Sequence, residues 1–255
     1  MGILYNRFTR DQSISSYTVI ISVDGNINHT GGALVQSNLS GPMTPITLSP
    51  KDTYRINQLS GESGITVTAS GNNYIISGTP TADVTISCTT TRNPDLLTDA
   101  QKNLSNWTPT LSTGYTSYGY TQEVSDTRIN WRVSPANTAR REGYIYNTNL
   151  DINTVPDGDY IFEIRYRITD LGYKDDGCKI GICTSNRNEH INSTLKCYID
   201  ILDTQTTYIT VSVPYTRSNN ENAYLVITNT YWSQISSSES RQGRIYLTSI
   251  SLRAK

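Results

Sequence analysis

Alternation with a period of two is the dominant pattern along this chain. Tyr17, Val19, Ile21 and Val23 alternate with Thr18, Ile20 and Ser22, and Ala82, Val84, Ile86 and Cys88 alternate with Asp83, Thr85 and Ser87. Successive side chains of a strand point to opposite faces, so each run predicts a half-buried strand. Between them, GITVTASGNNYIISG predicts a hairpin that turns at Gly71-Asn72-Asn73, residue types that tolerate positive φ. Six or seven short strands are expected in this first stretch.

The second half repeats the pattern with longer runs. Tyr160, Phe162, Ile164, Tyr166 and Ile168 form one face opposite Glu163, Arg165 and Arg167. Cys178, Ile180 and Ile182 form another run, followed by Leu195, Cys197, Ile199 and Ile201, then Ile209, Val211 and Val213, then Leu225 and Ile227. The last run begins with Ile245 and Leu247 in phase and ends with Ile250 and Leu252. That one-residue slip predicts a bulge near Thr248 or Ser249. Nine or ten such strands fit a two-sheet antiparallel sandwich. Alternation lapses in TTTRNPDLLTDAQKNLSN, from Thr89 to Asn106, where Pro94, Asp95 and Asp99 fall. This predicts a linker with one helical turn at Leu96 to Lys102. The expected fold class is all-β, two antiparallel β-sandwich domains in series: an arm or first strand over 1–16, a first sandwich over 17–90, a linker over 91–106 and a second sandwich over 107–255.

Composition supports that class. Thr, Ser and Asn supply a third of the 255 residues, at 35, 28 and 22, and there are 18 Tyr against 2 Phe. Thr and Tyr suit a pleated surface, and Ser and Asn suit turns. The 21 basic and 22 acidic residues leave a net charge of -1 with no basic stripe, so no nucleic-acid partner is expected. No apolar stretch approaches the ~20 residues that span a bilayer, so no membrane insertion is expected. MGILYNRFTRDQS lacks the apolar core of a signal peptide, and Asn6 departs from the myristoylation pattern.

Four cysteines and two histidines carry no metal-site spacing, so neither a metal nor another cofactor is expected. Cys88 reads as a buried strand thiol. Cys178 and Cys197 occupy apolar-phase positions; they form a disulfide or stay free, and a reducing folding compartment favours free thiols. Asp175, Asp176 and Glu189 read as loop charge rather than as a glycosidase pair. His29 and His190 stand near no nucleophile-elbow motif, and no phosphate-binding glycine loop occurs. No catalytic residues are assigned, and the chain is expected not to be an enzyme.

Binding chemistry is better represented. Sugars stack their apolar faces on aromatic rings. Tyr118 in STGYTSYGYTQ, Tyr173 beside Asp175, and Tyr231 and Trp232 beside a serine-rich loop are the candidate glycan-binding residues; the alternative is ordinary packing at a sheet edge or subunit contact. Trp107 and Trp131 flank strand-like runs and are assigned to the core. Ile3, Leu4, Tyr5 and Phe8 read as an assembly arm that docks on a partner, or as the first strand of the first sandwich. Ile20 and Tyr198 fall at solvent-phase positions, and six Lys leave few guards for sheet edges. Copies of the same chain, as a trimer or ring, are therefore expected partners.

Two stretches carry a resemblance. GITVTASGNNYIISGTPTADVTISC, with Ile76-Ser77-Gly78-Thr79-Pro80, resembles the closing half of the Ig-like repeats of bacterial and phage surface proteins. SNWTP, DGDYIFEIRYRI, TTYITVSVPY, AYLVITNT and GRIYLTSISLR, in that order, look like a carbohydrate-binding-module-like jelly roll. No clustered acids stand near its first and last strands, so no calcium site is carried over. An Ig-like domain followed by a jelly roll resembles accessory proteins of phage tails, fibres and capsids. The resemblance implies a non-enzymatic structural protein of a phage virion, folded in the host cytoplasm and working outside the cell. Its implied partners are other virion proteins and host surface polysaccharide. The alternative is a secreted or surface glycan-binding adhesin module.

Overall fold

The computed structural model describes residues 15–111, 120–124, 128–133, 143–171, 178–185, 194–201, 206–229 and 241–255. The chain divides into two units, Met1–Asn93 and Pro94–Lys255. Nearly all of the regular structure is strand.

Nine strands build the first unit: β1 (Tyr17–Val23), β2 (Ile27–Gly31), β3 (Val35–Leu39), β4 (Ile46–Pro50), β5 (Tyr54–Ile56), β6 (Ile65–Ser70), β7 (Asn73–Gly78), β8 (Val84–Cys88) and β9 (Thr90–Arg92). They form sheets ordered β2-β4-β7-β6, β3-β1-β8 and β5-β9. The excess over six or seven comes from short elements: β5 and β9 have three residues each, too few to display a period. Alternation places Val19 and Ile21 of β1 and Val84, Ile86 and Cys88 of β8 in a core with Ile46, Leu48 and Ile76. The hairpin is present. Ser70 pairs with Asn73, leaving a two-residue loop in which Gly71 has φ +60°, the geometry of a type II′ turn. One pairing departs from a wholly antiparallel sandwich: β1 runs parallel to β8, with Val19 opposite Val84 and Val23 opposite Cys88. The intervening strands supply the long crossover that a parallel pair requires.

The second unit contains β10 (Thr108–Leu111), β11 (Tyr120–Val124), β12 (Arg128–Val133), β13 (Gly143–Asp151), β14 (Gly158–Leu171), β15 (Cys178–Cys183), β16 (Leu195–Ile201), β17 (Ile209–Arg217), β18 (Tyr224–Asn229) and β19 (Arg241–Ala254). Two antiparallel five-stranded sheets result, ordered β10-β13-β18-β15-β16 and β11-β12-β19-β14-β17. All five apolar-phase residues of β14, from Tyr160 to Ile168, are buried in their common core with Ile180, Ile199, Leu225 and Ile227.

The bulge falls at Thr248. Tyr166 pairs with Leu247 and Arg165 with Ser249, so Thr248 is the extra residue, and Ile250 and Leu252 return to the core face opposite Ile164 and Phe162. At the far end of β17, Arg217 is buried, and its guanidinium donates to the carbonyls of Ile152, Val155 and Glu221.

The stretch expected as a linker is packed instead. Leu97, Leu104 and Trp107 are buried in the second core. Leu96 N–H donates to Leu252 O, and the Asp95 carboxylate accepts from the Leu97 and Leu252 amides. The helical turn spans Asp99–Lys102, with Thr98 and Gln101 forming a reciprocal capping box. Its apolar residues dock one at a time against β19 and the core, so they leave no period to read. Trp107 meets its core assignment. Trp131 lies on β12, and its side chain is outside the described residues.

Candidate functional site

Pairing registers place two tyrosines and three arginines in adjacent rows on the outer face of the sheet β11-β12-β19-β14-β17. The inner face of β14 is committed to the core, so Glu163, Arg165 and Arg167 face outward. Arg167 pairs with Tyr246 of β19, and Tyr246 with Arg128 of β12. Tyr208 immediately precedes Ile209, the partner of Tyr166, and so stands beside Arg167 on the other side. The resulting row, on β12, β19, β14 and the residue before β17, reads Arg128, Tyr246, Arg167, Tyr208. The next row is Ser249, Arg165, Thr210, with the bulge residue Thr248 donating its hydroxyl to Arg165 O at 3.2 Å. A third row holds Ser251, Glu163 and Ser212.

The row is held by stacking. The Arg167 guanidinium carbon lies 4.5 Å from the Tyr246 ring centroid and 5.1 Å from that of Tyr208, between the two rings. Arg165 lies 5.0 Å from the Tyr208 centroid. All three distances are within the ~6 Å range of cation–π attraction. Arg165 is exposed, and Arg128, Arg167, Tyr208 and Tyr246 are half-buried. Arg167 Nε is buried and has no hydrogen-bond partner. Among the described residues no carboxylate lies within ion-pair distance of Arg165 or Arg167. Exposed Thr210, Ser212, Thr248 and Ser249 surround the cations with hydroxyls.

A smaller polar cluster lies on the outer face of the other sheet. Tyr198 of β16 is 39% exposed and stands opposite Gly181 of β15. A Cβ on Gly181 would come within 2.0 Å of Cys197 O, so only glycine fits beneath the crossing strand. Lys179 Nζ lies 4.1 Å from the Tyr198 ring centroid and 3.6 Å from Asp200 Oδ1. The neighbouring carboxylate compensates this lysine, whereas Arg165 and Arg167 have none among the described residues.

Buried thiols complete the chemistry. Cys88, Cys183 and Cys197 are free. Burial pushes Cys88 and Cys183 up to about 11, with Asp24 adding to the shift at Cys88, and pushes Cys197 up to about 12. They are therefore neutral and unreactive near neutrality. His29 is exposed on β2. Among the described residues no three of His, Cys, Asp and Glu converge as a metal site.

Tyr118, Tyr173, Tyr231 and Trp232 lie outside the described residues, as do Ile3, Leu4, Tyr5 and Phe8, and Asp175, Asp176, Glu189 and His190. The Arg–Tyr rows are residues that sequence reasoning did not select. Arg165 and Arg167 were visible on the polar face of a strand, but Tyr208 and Tyr246 join them only through strand register.

No family profile and no curated protein matches the chain. Among solved structures, the adhesin domain of Epf from Streptococcus pyogenes superposes with a TM-score of 0.42 at 8% identity, covering 63% of this chain and 64% of that one. This chain thus spans just under two thirds of that adhesin domain. A carbohydrate-binding module of the β-sandwich superfamily gives a TM-score of 0.37 at 10% identity, covering 95% of this chain and 86% of the module. The enzymatically active domain of tailspike protein 4 from bacteriophage CBA120 gives 0.36 at 14% identity, covering 62% and 21%. Likeness this loose assigns neither family nor activity.

Proposed function

We propose that this chain is a non-enzymatic attachment protein whose second unit holds a glycan on the outer face of the β14–β17–β19 sheet. We further assign it to a phage virion, as a tail, fibre or capsid-associated component present in several copies, in contact with host surface polysaccharide. The observation that carries the binding reading is the row in which Tyr246 and Tyr208 stand half-exposed beside Arg167. Aromatic surface left on a sheet face, ringed by hydroxyls, matches what a sugar ring needs. Tyr246 sits on β19 and Tyr208 directly before β17, both strands with their opposite face against the core, so the platform is set before ligand arrives. Tyr118, Tyr173, Tyr231 and Trp232 are proposed as further glycan contacts of the same unit, and Ile3, Leu4, Tyr5 and Phe8 as the segment that docks on a partner.

Three buried free thiols support folding in a reducing compartment, consistent with a virion protein made in the host cytoplasm. The exposed pair Ile20 and Val35, opposite each other on β1 and β3, supports contacts between copies. A glycan array probed with the full chain tests the binding reading. The expected result is binding to a bacterial envelope polysaccharide that Tyr208→Ala with Tyr246→Ala weakens about thirtyfold, since each ring contributes about 1 kcal/mol of contact. Absence of binding to every envelope glycan refutes it. Labelling of phage particles with an antibody to the chain tests the virion assignment: bound antibody supports it, and unlabelled particles with signal on bacterial cells favour an adhesin instead.

A further inference from the structure

We infer that the glycan held on this face is acidic, its carboxylate or sulfate groups read by Arg165 and Arg167; the inference rests on the glycan-binding reading above. A guanidinium stacked on a ring uses its flat faces for the ring and keeps its edge donors for acceptors in the plane. Arg167 is stacked on two rings and Arg165 on one, so both side chains are already ordered. Among the described residues their donors meet no carboxylate, the partner that such a geometry fits. No carboxylate among the described residues pairs with either cation, whereas Lys179, Lys102 and Lys196 each have one within 4 Å. Along β14 the acidic residues of this face fall in the flanking rows: Glu163 between Ser251 and Ser212 beyond Arg165, and Asp170 opposite Arg244 beyond Arg167. Two adjacent rows therefore carry Arg128, Arg165 and Arg167 and, among the described residues, no acidic one, while the chain as a whole carries a net charge of -1.

That contrast selects among polyanions. A nucleic-acid surface would neutralise many phosphates with a broad basic field. Here the charge is local, two arginines about 6.6 Å apart along one strand, at ~3.3 Å per residue. Hydroxyls from Thr210, Thr248 and Ser249 flank them. Two fixed guanidinium forks among hydroxyls and tyrosine rings suit one or two acid groups on a sugar chain that also presents hydroxyls and apolar ring faces.

Titration calorimetry of the full chain with polygalacturonate, with the same polymer after carboxyl reduction, and with a single-stranded DNA oligonucleotide tests the inference. The expected result is binding to polygalacturonate that weakens about tenfold on carboxyl reduction and weakens further as NaCl is raised. Arg165→Gln with Arg167→Gln should reproduce the loss for the acidic polymer and remove its dependence on NaCl. The carboxyl-reduced polymer needs no variant, so the inference stays testable if the double substitution fails to fold. Equal affinity for both polymers overturns the acidic specificity and leaves the glycan reading standing. DNA binding as tight as polygalacturonate binding overturns it in favour of general polyanion capture. No binding to any uronate or sulfated glycan, while neutral envelope glycans bind, also overturns it. Failure of every glycan removes the underlying reading as well.

Discussion

Arg167 and Cys197 are two half-turned versions of the same physical situation, a polar group placed where water is scarce. The arginine settles this by stacking on Tyr208 and Tyr246, leaving Nε unpartnered. The thiol settles it by staying protonated. Burial raises Cys88 and Cys183 to about 11 and Cys197 to about 12, above the ~8.5 of an unfolded chain. A folded-state value above the unfolded one means that the native state holds its proton more tightly. The stabilising contribution is then complete below about pH 8.5 and is lost as pH rises through the folded values. The urea midpoint is therefore expected to hold steady up to about pH 8 and to fall between about pH 9 and 12. Replacing all three cysteines by alanine should flatten that alkaline decline, read by intrinsic fluorescence. An equally steep decline in the triple variant would assign it to other groups, with Tyr215, also raised to about 12, the first to examine. The three thiols should also resist alkylation in the native protein at about pH 8 and react on unfolding.

Strands show which parts of the fold the sequence pattern can carry. From Tyr160 to Ile168 every second residue is buried, because a long central strand with one core face writes its geometry directly into its residue types. The bulge was legible for the same reason: the buried positions step from Ile245 and Leu247 to Ile250 and Leu252, and only an extra residue reconciles that with one face. Residues 94–107 were not legible, since Leu97, Leu104 and Trp107 each meet the core through a different local turn. The Arg–Tyr rows were not legible either. Residues 128, 167, 208 and 246 meet through three separate pairings, and no spacing within the sequence records them. Thr248 offers the sharpest test at this scale. Deleting it would bring Leu247, Ser249, Ile250, Ser251 and Leu252 into strict alternation, so Ile250 and Leu252, 2% and 0% exposed, would stay opposite Ile164 and Phe162. The deletion is therefore expected to retain a cooperative thermal transition of the second unit, whereas Ile250→Asp, which puts a charge into the same core, abolishes it. A deletion variant without a cooperative transition would show that the unit depends on the local twist of the bulge.

At the scale of the molecule the question is what keeps copies apart or draws them together. Each unit closes its own apolar core, so the exposed apolar groups are left over from folding rather than part of it. Two of them are cross-strand partners: Ile20 at 37% exposure and Val35 at 56%, on the outer face of β1 and β3. The strands that flank this sheet, β3 (VQSNL) and β8 (VTISC), carry no charged residue. Soluble proteins guard such edges with lysine, bulges or proline, and a net charge of -1 adds little repulsion between copies. This face is therefore expected to form a contact between copies of the chain. Ile20→Lys with Val35→Lys places two charges on it without touching the core, a change that surface positions tolerate within about 0.5 kcal/mol each. Light scattering of the parent chain is expected to give a mass of several copies at high concentration, shifting towards the monomer in the double variant with an unchanged melting temperature. A parent that stays monomeric across the concentration range removes the self-contact. A double variant that stays assembled moves the contact elsewhere on the chain, with the Tyr198 face, 39% exposed at that ring, next to be tested by Tyr198→Lys.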